Sequence, residues 1–304
     1  MSNKIVVVGS INVDRTLHIQ QIPKPGETVR VRDITQAPGG KGANQAVSAK
    51  RSGSEVTFIG AIGKDENGKF MLATLSKEGI NIDHITSFAD EKTGNATIML
   101  SDAGQNSILM YPGANNKISH SQINSAAAVL KSSNFIVANF ETTQEAIIDS
   151  FKLAKGKNVK TILNPAPASK INEKLYGITD VIAPNETESE VITGIHISDK
   201  DSLEKTGKYF RNKGIPVTLI TLGSKGVFLS TPNITKLIPA YKVKAKDTTA
   251  AGDTFIGALA AELKTDFSNI EDAIKYAQQA SSITVQRYGA IPSIPTRQEI
   301  KNNY

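Results

Sequence analysis

The sequence predicts an α/β fold in which helices cover both faces of a parallel sheet and a small second sheet projects from it. From the middle of the chain onward, short β-branched runs alternate with longer segments of helical pattern, as in parallel strands joined by helices. Two segments instead alternate polar and apolar residues, which is typical of strands with one solvated face. No internal repeat or low-complexity tract interrupts residues 1–304. A single domain over this range is the prediction, although the length by itself also fits a domain with a smaller appendage.

The strands of the large sheet are predicted from apolar runs in chain order. Two lie near the start, KIVVVGS and EVTFIGAIG, and the helix-like stretch ANQAVSAKRSG stands between them. Four more follow, NFIVANF, KTILNP, DVIAPN and VTLITLG, each separated from the next by a segment of helical pattern. After the last of these, TLGSKG leads into a further strand, VFLS. The alternation therefore extends over most of the chain.

The small sheet is expected from residues 16–37, which contain PKPGETVRVRDITQA, and from residues 94–112. The second segment, GNATIMLSDAGQNSILMY, is typical of a hairpin with Asp102, Ala103 and Gly104 at its turn. Strands with a solvated face do not belong inside a sheet that is covered on both sides. We interpret this sheet as a lid or as an association surface.

Composition excludes several classes of site. The chain has no cysteine, which excludes disulfides, thiolate nucleophiles and cysteine-bound metals. Four histidines lie far apart and form no HExxH-type pair, so carboxylates are the expected acid and base groups: His18, His84, His120 and His196. No apolar run approaches the roughly 18 residues of a membrane span, and the N-terminal segment has no signal-peptide pattern. A cytoplasmic location is therefore expected.

The net charge of +6 raises the question of nucleic-acid binding. The lysines, however, are scattered over helical segments rather than gathered into blocks. Only the stretch Lys152–Lys160 is locally dense, and it lacks interleaved aromatic residues. We therefore expect neither nucleic acid nor membrane as a partner, and interpret the excess charge as solvated surface that also favours anionic small molecules.

Polar side chains follow several predicted strands at the point where each strand ends. In open α/β folds, ligands bind in the crevice beyond the carboxyl ends of the strands. Each residue alone is ordinary loop chemistry, but their joint placement favours a site. They are Asn12 and Asp14, Asn139 and Glu141, Asn164, and Asn185 with Glu188.

The pair Asn12 and Asp14 has two interpretations. In an extended chain, residues two apart point to the same side, where a carboxylate can accept hydrogen bonds from neighbouring hydroxyls of a polyol. Sugar recognition is the functional interpretation. An ordinary turn built on two Asx residues is the simpler explanation when the pair is taken by itself.

The stretch APGGKGANQAV places three glycines around Lys41 at the start of a helix. It is neither a Walker A loop, because Gly42 follows the lysine, nor a GxGxxG fingerprint, because Gln45 occupies the last position. The glycines permit close approach of a ligand, and Asn44 offers a donor and an acceptor, but a plain turn fits equally well. TLGSKG also has two interpretations. Its glycines can expose backbone amides to a phosphate or a ribose, or the stretch can be an ordinary hairpin turn.

The most informative stretch is DTTAAGDTF, which begins at Asp247. Apolar residues recur at helical spacing after it, so a helix is predicted to begin close to Asp253, with Ala250, Ala251 and Gly252 in its first turn. The free N–H groups of a helix start attract anions, and small side chains let a phosphate reach them. A carboxylate there can accept the proton of a hydroxyl that attacks a phosphoryl group. Helix capping alone explains one aspartate but not the two alanines.

These motifs resemble those of the ribokinase-like carbohydrate kinases. DTTAAGDTFIGALA resembles the carboxy-terminal signature, PGGKGANQA the amino-terminal glycine motif, and NETE at 185–188 the NxxE element, in the expected order over essentially the whole chain. The resemblance implies a Rossmann-like three-layer α/β/α sandwich with a β-sheet lid that pairs subunits into a homodimer. It also implies transfer of the γ-phosphate of ATP to the 5-hydroxyl of ribose, with magnesium and potassium as cofactors.

The resemblance further implies a role for individual residues. The catalytic base would be Asp253, with an anion hole from Ala250, Ala251 and Gly252. The sugar would contact Asn12, Asp14, Gly40, Lys41, Gly42, Ala43, Asn44, Glu141 and Asp253. The nucleotide would contact Asn185, Thr221, Leu222, Gly223, Ser224, Lys225, Gly226, Gly252, Asp253 and Gln278. Magnesium would be held through water by Glu188, and potassium by Asp247, Thr249, Thr284, the carbonyl of Arg287, Gly289 and Ser293.

Two positions depart from the family's pattern, and several functions remain open. Ala250 stands where many members have glycine, and Gln278 where asparagine is frequent. The alternatives within the family are a kinase for deoxyribose or another pentose and a kinase for a phosphosugar. The pair Asn12 and Asp14 favours an uncharged polyol, because a carboxylate repels a second anion. A non-catalytic sugar or nucleotide sensor is the alternative from another class, against which Asp253 argues.

Overall fold

The computed structural model describes residues 2–304, which form two sheets and ten helices in that range. The strands are β1 (Lys4–Val8), β2 (Asn12–Ile19), β3 (Asp33–Gly39), β4 (Glu55–Gly63), β5 (Asn81–Phe88), β6 (Gly94–Ser101), β7 (Asn106–Tyr111), β8 (Phe135–Asn139), β9 (Lys160–Asn164), β10 (Val181–Ile182), β11 (Val217–Thr221), β12 (Val227–Ser230) and β13 (Thr235–Ile238). The helices are α1 (Lys41–Arg51), α2 (Glu66–Lys77), α3 (His120–Ser125), α4 (Ala127–Ser132), α5 (Gln144–Ala154), α6 (Glu186–Thr193), α7 (Lys200–Asn212), α8 (Ala251–Glu262), α9 (Ile270–Thr284) and α10 (Arg297–Asn303).

The large sheet has nine strands in the order β13-β12-β11-β10-β9-β8-β1-β4-β5. All neighbours from β11 to β5 are parallel, and β12 and β13 extend the sheet by antiparallel pairing. The β-branched runs predicted as strands occupy the centre and are buried, as strands covered on both faces must be. Helix-joined strands of this kind end at one common edge of the sheet.

Helices cover both faces of this sheet. One core cluster joins the central strands to α1, α8 and α9, with Val47, Leu259 and Ile274 fully buried. A second cluster, on the other face, joins the strands to α5 and α7 through Phe151 and Phe210. The predicted three-layer α/β/α arrangement is therefore confirmed. Within the described range, no helix combines the length and the apolar composition that a membrane crossing requires.

The small sheet has four strands in the order β3-β2-β6-β7. Strands β6 and β7 form the predicted hairpin, and β2 pairs parallel to β6 and antiparallel to β3. Strand β2 begins at Asn12, earlier than the segment expected from residue 16, because the chain enters this sheet directly from the end of β1. The small sheet therefore begins at the edge of the large sheet where the parallel strands end.

Helices α1 and α8 lie unusually close together beside that edge. A Cβ atom on Gly257 of α8 would stand 2.3 Å from the carbonyl oxygen of Gln45 on α1. Only glycine allows this approach, which brings the first turns of both helices together. The two glycine-containing motifs are thereby placed side by side.

Candidate active site

Asp253 lies at the start of α8 and is 6% exposed. Both of its carboxylate oxygens accept hydrogen bonds from α1: Asn44 Nδ2 donates to Oδ2 at 2.9 Å, and Gln45 Nε2 donates to Oδ1 at 3.1 Å. Two amide donors therefore fix the orientation of this carboxylate, which a general base requires.

The first turn of α8 is open to solvent. The N–H group of Ala251 donates to Thr248, whereas those of Gly252 and Asp253 have no acceptor one helical turn before them. A Cβ atom on Gly252 would meet nothing within 4 Å. Ala250 precedes the helix in the left-handed region, with φ 60° and ψ 9°, where glycine carries no penalty. An anion can therefore approach the N–H groups of this turn.

Glu141 organises the part of the site at the end of β1. Its Oε2 accepts hydrogen bonds from Ser10 Oγ at 2.5 Å, from the N–H group of Lys41 at 2.9 Å and from Asn12 Nδ2 at 3.4 Å. Asn12 Oδ1 in turn accepts from Asn115 Nδ2 at 2.8 Å. Residues from β2, α1 and two later loops are thus linked around one carboxylate.

The glycines of the first motif pack against the chain itself. Gly40 has a φ of +94° and precedes α1, and a Cβ atom there would lie 2.7 Å from the N–H group of Asn12. A Cβ atom on Gly42 would lie 2.5 Å from the backbone nitrogen of Ser10. These glycines let α1 begin directly against the β1–β2 connection, and so place Lys41 and Asn44 at the site.

Several acids share the site with one lysine. Burial raises the pKa of Asp14 to about 6, and the charges of Glu141 and Asp253 add to this effect. Burial also raises the pKa of Glu141, although the charge of Lys41 opposes it. The charge of Asp253 is the main cause that raises the pKa of Lys41, with Glu141 and Glu188 adding to it and burial opposing it. The positive charge of Lys41 therefore offsets part of the negative charge of Asp253, Glu141 and Glu188.

Asn185 and Glu188 cap α6 reciprocally. Asn185 Oδ1 accepts from the N–H group of Glu188, and Glu188 Oε2 accepts from that of Asn185, both at 2.8 Å. Burial raises the pKa of Glu188, against the hydrogen bond from Asn185 and the charge of Lys41. Asn185 also forms a bridge with Thr221 at the end of β11. The NETE motif therefore stands beside the TLGSKG turn.

The TLGSKG turn is exposed. Gly223, Ser224 and Lys225 form one helical turn on the surface, and a Cβ atom on Gly223 would meet nothing within 4 Å. Gly226 is different, because its φ is +114° and a Cβ atom there would lie 2.1 Å from the carbonyl oxygen of Ile238. The turn thus presents open backbone at its start and is anchored to β13 at its end.

Gln278 is buried on α9, and its Nε2 donates to the carbonyl oxygen of Ile238 at 3.1 Å. Its Oε1 is buried and has no hydrogen-bond partner among residues 2–304. Gln278 and Gly226 therefore meet at the same carbonyl of β13. This contact links α9 to the TLGSKG turn.

Asp247 joins two loops. Its Oδ1 accepts from the N–H group of Thr249 at 2.9 Å and from Thr249 Oγ1 at 2.7 Å, and its Oδ2 accepts from the N–H group of Gly289 at 2.9 Å. Burial acts to raise the pKa of Asp247, but these hydrogen bonds outweigh it and lower the pKa below its usual value. Asp247 is therefore ionised and holds the segment around Gly289.

The remaining residues of the expected cation site lie nearby in the chain but make other contacts. Thr284 Oγ1 donates to Thr254 Oγ1 of α8, and Ser293 Oγ donates to the carbonyl of Ala290. The guanidinium of Arg287 is engaged by Glu299, which leaves its carbonyl as the group that could bind a cation. No cluster of three or more histidine or acidic side chains in the described chain could hold a metal ion. A cation here would depend on carbonyl and hydroxyl oxygens.

Three polar residues of the site are not marked by any motif with a known role: Ser10, Gln45 and Asn115. Gln45 stands beside Asn44 in the glycine motif, so its place at the helix start was the one available signal. Ser10 stands at the end of the predicted strand KIVVVGS, which was its available signal. Asn115 has no such signal, because its partner Asn12 lies 103 residues away in the chain. Hydrogen bonds between segments far apart in the chain, rather than a local sequence motif, bring these residues to the site.

The comparisons with known proteins agree with this geometry. The model of the pfkB family carbohydrate kinases matches residues 2–297. The chain is 45% identical over 300 residues to the bifunctional ribokinase/ribose-5-phosphate isomerase A of Fructilactobacillus sanfranciscensis, covering 98% of this chain but only 56% of that protein. It is 42% identical to the ribokinase of Staphylococcus aureus, with 99% of both chains covered. The structure of Arabidopsis thaliana ribokinase complexed with ribose and ATP has a TM-score of 0.92 at 31% identity and covers 99% of this chain and 98% of that one.

Proposed function

The chain belongs to the pfkB family of carbohydrate kinases, and from this premise we propose that it transfers the γ-phosphate of ATP to the 5-hydroxyl of D-ribose. The product is ribose 5-phosphate. The observation that carries the proposal is Asp253, a buried carboxylate oriented by two amides at the start of a helix with open N–H groups. The names of the similar proteins support ribose and ATP as the substrates.

The proposed reaction is an in-line phosphoryl transfer. The proton of the sugar hydroxyl moves to Asp253, the hydroxyl oxygen forms a bond to the γ-phosphorus, and the bond between that phosphorus and the bridging oxygen breaks, leaving the electron pair on ADP. The free first-turn N–H groups of α8, at Gly252 and Asp253, stabilise charge on the phosphoryl oxygens. Ala251, whose N–H group donates to Thr248, contributes its small side chain to the anion hole. Ala250 shapes this anion hole by turning the chain into the helix.

The sugar pocket fits an uncharged polyol. Asn12, Asn44 and Glu141 offer donors and acceptors at the end of β1, and Asn44 Oδ1 is buried without a partner in the described structure. Asp14, with a pKa of about 6, is mostly ionised at neutral pH, so it disfavours a phosphosugar. Gly40, Gly42 and Ala43 are proposed to contact the sugar through their backbone, and the charge of Lys41 offsets that of Asp253 and Glu141.

The nucleotide is proposed to lie along the open side of the site. The exposed turn from Thr221 to Gly226 and the bridged Asn185 offer backbone and side-chain contacts for the phosphates and ribose. Gln278 has a buried acceptor beside β13, where the adenine would lie. Magnesium, when bound, neutralises phosphate charge, and Glu188 would hold it through water.

We also propose that potassium activates the enzyme. The hydrogen bond from Gly289 to Asp247 brings together the two loops that would supply the ligands, which are Asp247, Thr249, Thr284, Arg287, Gly289 and Ser293. The hydrogen bond between Thr284 and Thr254 couples this region to α8. Rates in a sodium-free buffer balanced with tetramethylammonium should rise steeply as potassium is added. A flat response would exclude activation.

The small sheet is proposed to cover the sugar and to pair two copies into a homodimer. Its strands β3 and β7 expose Ile34, Ile108, Leu109, Met110 and Tyr111, an apolar group that monomers rarely leave in water. Sedimentation should show a dimer for the unmodified chain and a shift toward monomer for Leu109→Glu. A monomer in both cases would contradict the proposal. We further propose that the protein acts in the cytoplasm, with neither nucleic acid nor membrane as a partner, and the scattered distribution of its lysines supports this proposal.

One assay tests the function. ADP release is measured with ATP and magnesium across pentoses, hexoses, nucleosides and phosphosugars, with and without potassium. We expect ribose to give the highest kcat/KM and deoxyribose a lower one. If deoxyribose or a phosphosugar gave the highest kcat/KM, that compound would replace ribose as the proposed substrate. If no compound caused ADP release, the protein would be a non-catalytic sensor.

A further inference from the structure

Gln45 contacts the carboxylate of Asp253 but lies too deep to meet a ligand. Its side chain is fully buried, and its Nε2 donates to Asp253 Oδ1 and to Asn164 Oδ1, both at 3.1 Å. Its Oε1 accepts from Asn139 Nδ2 at 3.3 Å. All hydrogen-bonding groups of this amide are therefore engaged, and one of them holds the proposed base.

The orientation of Gln45 is imposed by its neighbours. Asn164 Nδ2 donates to the carbonyl of Ala183 at 3.0 Å, so Asn164 must present its Oδ1 to Gln45. Asn139 Oδ1 accepts from the N–H group of Glu141 at 3.1 Å, so Asn139 must present its Nδ2. Two backbone groups of opposite polarity therefore anchor the chain of amides, and Gln45 can only offer a donor to Asp253.

We propose that Gln45 is a positioning residue, which directs the sugar proton to Oδ2 of Asp253 by keeping Oδ1 occupied. A proton on Oδ1 would face an N–H donor of Gln45, whose amide cannot turn because its partners are anchored to the backbone. Oδ2 also accepts an N–H donor, from Asn44, but the Asn44 amide has an Oδ1 without a partner in the described chain and can turn to accept the proton. Oδ2 lies on the side of Asn44, the expected sugar contact, whose own Oδ1 is free to accept from a hydroxyl. The inference rests on the proposed function of Asp253 as the base.

The amide chain also explains polar residues that touch neither substrate. Asn139 and Asn164 stand at the ends of β8 and β9, and the pairing of these strands places them opposite each other. The pairing of β8 with β9 thus sets the distance between Asn139 and Asn164, and the side chain of Gln45 from α1 hydrogen-bonds to both.

The test replaces Gln45 by methionine, which keeps the length but removes both donors. We expect kcat for ribose to fall about 10- to 100-fold while the KM values for ribose and ATP change less than about threefold. Gln45→Glu, which keeps the shape but replaces the donor by an oxygen, should lower kcat by a similar or larger factor.

Ser48→Ala is the matched control. Ser48 is also buried on α1 and donates across to α8, at the carbonyl of Thr254, but it does not touch the base. We expect this variant to keep the kcat and the KM values of the unmodified chain. Thermal unfolding of all three variants measures the loss of stability separately.

The possible outcomes distinguish the positioning role of Gln45 from the proposed function of the protein. Normal turnover by the unmodified chain, with an unchanged kcat in either Gln45 variant, overturns the positioning role alone. A higher KM for ribose at unchanged kcat would also overturn it, since Gln45 would then act in sugar binding. No turnover by the unmodified chain overturns the proposed function and this inference with it.

Discussion

The two sides of the site are built in different ways. On the sugar side, Asn12 and Asn44 are 3% and 5% exposed, and buried hydrogen bonds to Glu141, Asn115 and Asp253 fix their amides. On the nucleotide side, the turn at 223–225 is exposed and offers mainly backbone. A small neutral sugar is recognised by many directed side-chain contacts, whereas a phosphate needs only open N–H groups.

Glycine has opposite uses on the two sides. Gly42 is required by the protein's own packing, because a Cβ atom there would overlap the β1–β2 connection. Gly252 borders open space and leaves room for a phosphate. The first glycine therefore serves the fold, and the second serves the ligand.

The largest effect is expected where the two sides meet. Asp253→Asn keeps the shape of the residue but removes the proton acceptor, so kcat should fall about 100- to 10,000-fold. Calorimetry should still detect ribose and a non-hydrolysable ATP analogue, because both sides remain formed. The exposed Asp266→Asn is the control. Turnover of the Asp253 variant at the original rate would exclude it as the base.

The sugar side alone is tested by Glu141→Gln. The amide keeps one acceptor but loses the charge that strengthens the hydrogen bonds from Ser10, Lys41 and Asn12, so the KM for ribose should rise about tenfold. The KM for ATP should stay within about twofold, as should both values in the exposed control Glu145→Gln. Equal increases for ribose and ATP would show that the two sides are not independent.

Replacing Asp14 should make the fold more stable but the binding of ribose weaker. The pKa of Asp14 is about 6 in the folded protein and about 4 in an unfolded chain, so ionising it costs stability as pH rises through that interval. Asp14→Asn should increase the free energy of unfolding by about 1–3 kcal/mol at pH 7.5 and weaken ribose binding. Denaturant unfolding from pH 4 to 8 checks this, and the difference should vanish near the lower end. Equal stability at pH 7.5 would contradict it.

The smallest effect is expected from Gly252→Ala. Alanine suits a helix and meets nothing there, so stability should stay within about 1 kcal/mol of the original or rise slightly. The KM for ATP should rise severalfold, because the methyl group occupies the approach of the phosphate. Gly42→Ala is the contrasting variant and should lose about 1–3 kcal/mol through overpacking. Similar losses of stability in both would remove the distinction between the two glycines.

Local patterns predicted the fold well because each strand or helix carries its own signal. The buried runs of β1, β4, β8, β9 and β11 and the turn of the β6–β7 hairpin were visible in the sequence. The start of α8 was predicted within a few residues of Asp253. The start of β2 was less clear, because Asn12 and Asp14 combine the polarity of a loop with the conformation of a strand.

The sequence by itself determined the fold class, the helix start at DTTAAGDTF and the residue types that could carry phosphoryl transfer, since these depend on periodicity and on neighbours in the chain. Only the tertiary structure decided which donor meets which oxygen. Gln45 and Asn164 reach each other across 119 positions, and the pKa of Asp14 depends on Glu141 and Asp253. Distances and burial between remote segments are set by the packing of α1 against α8 and the sheet, which no local pattern contains.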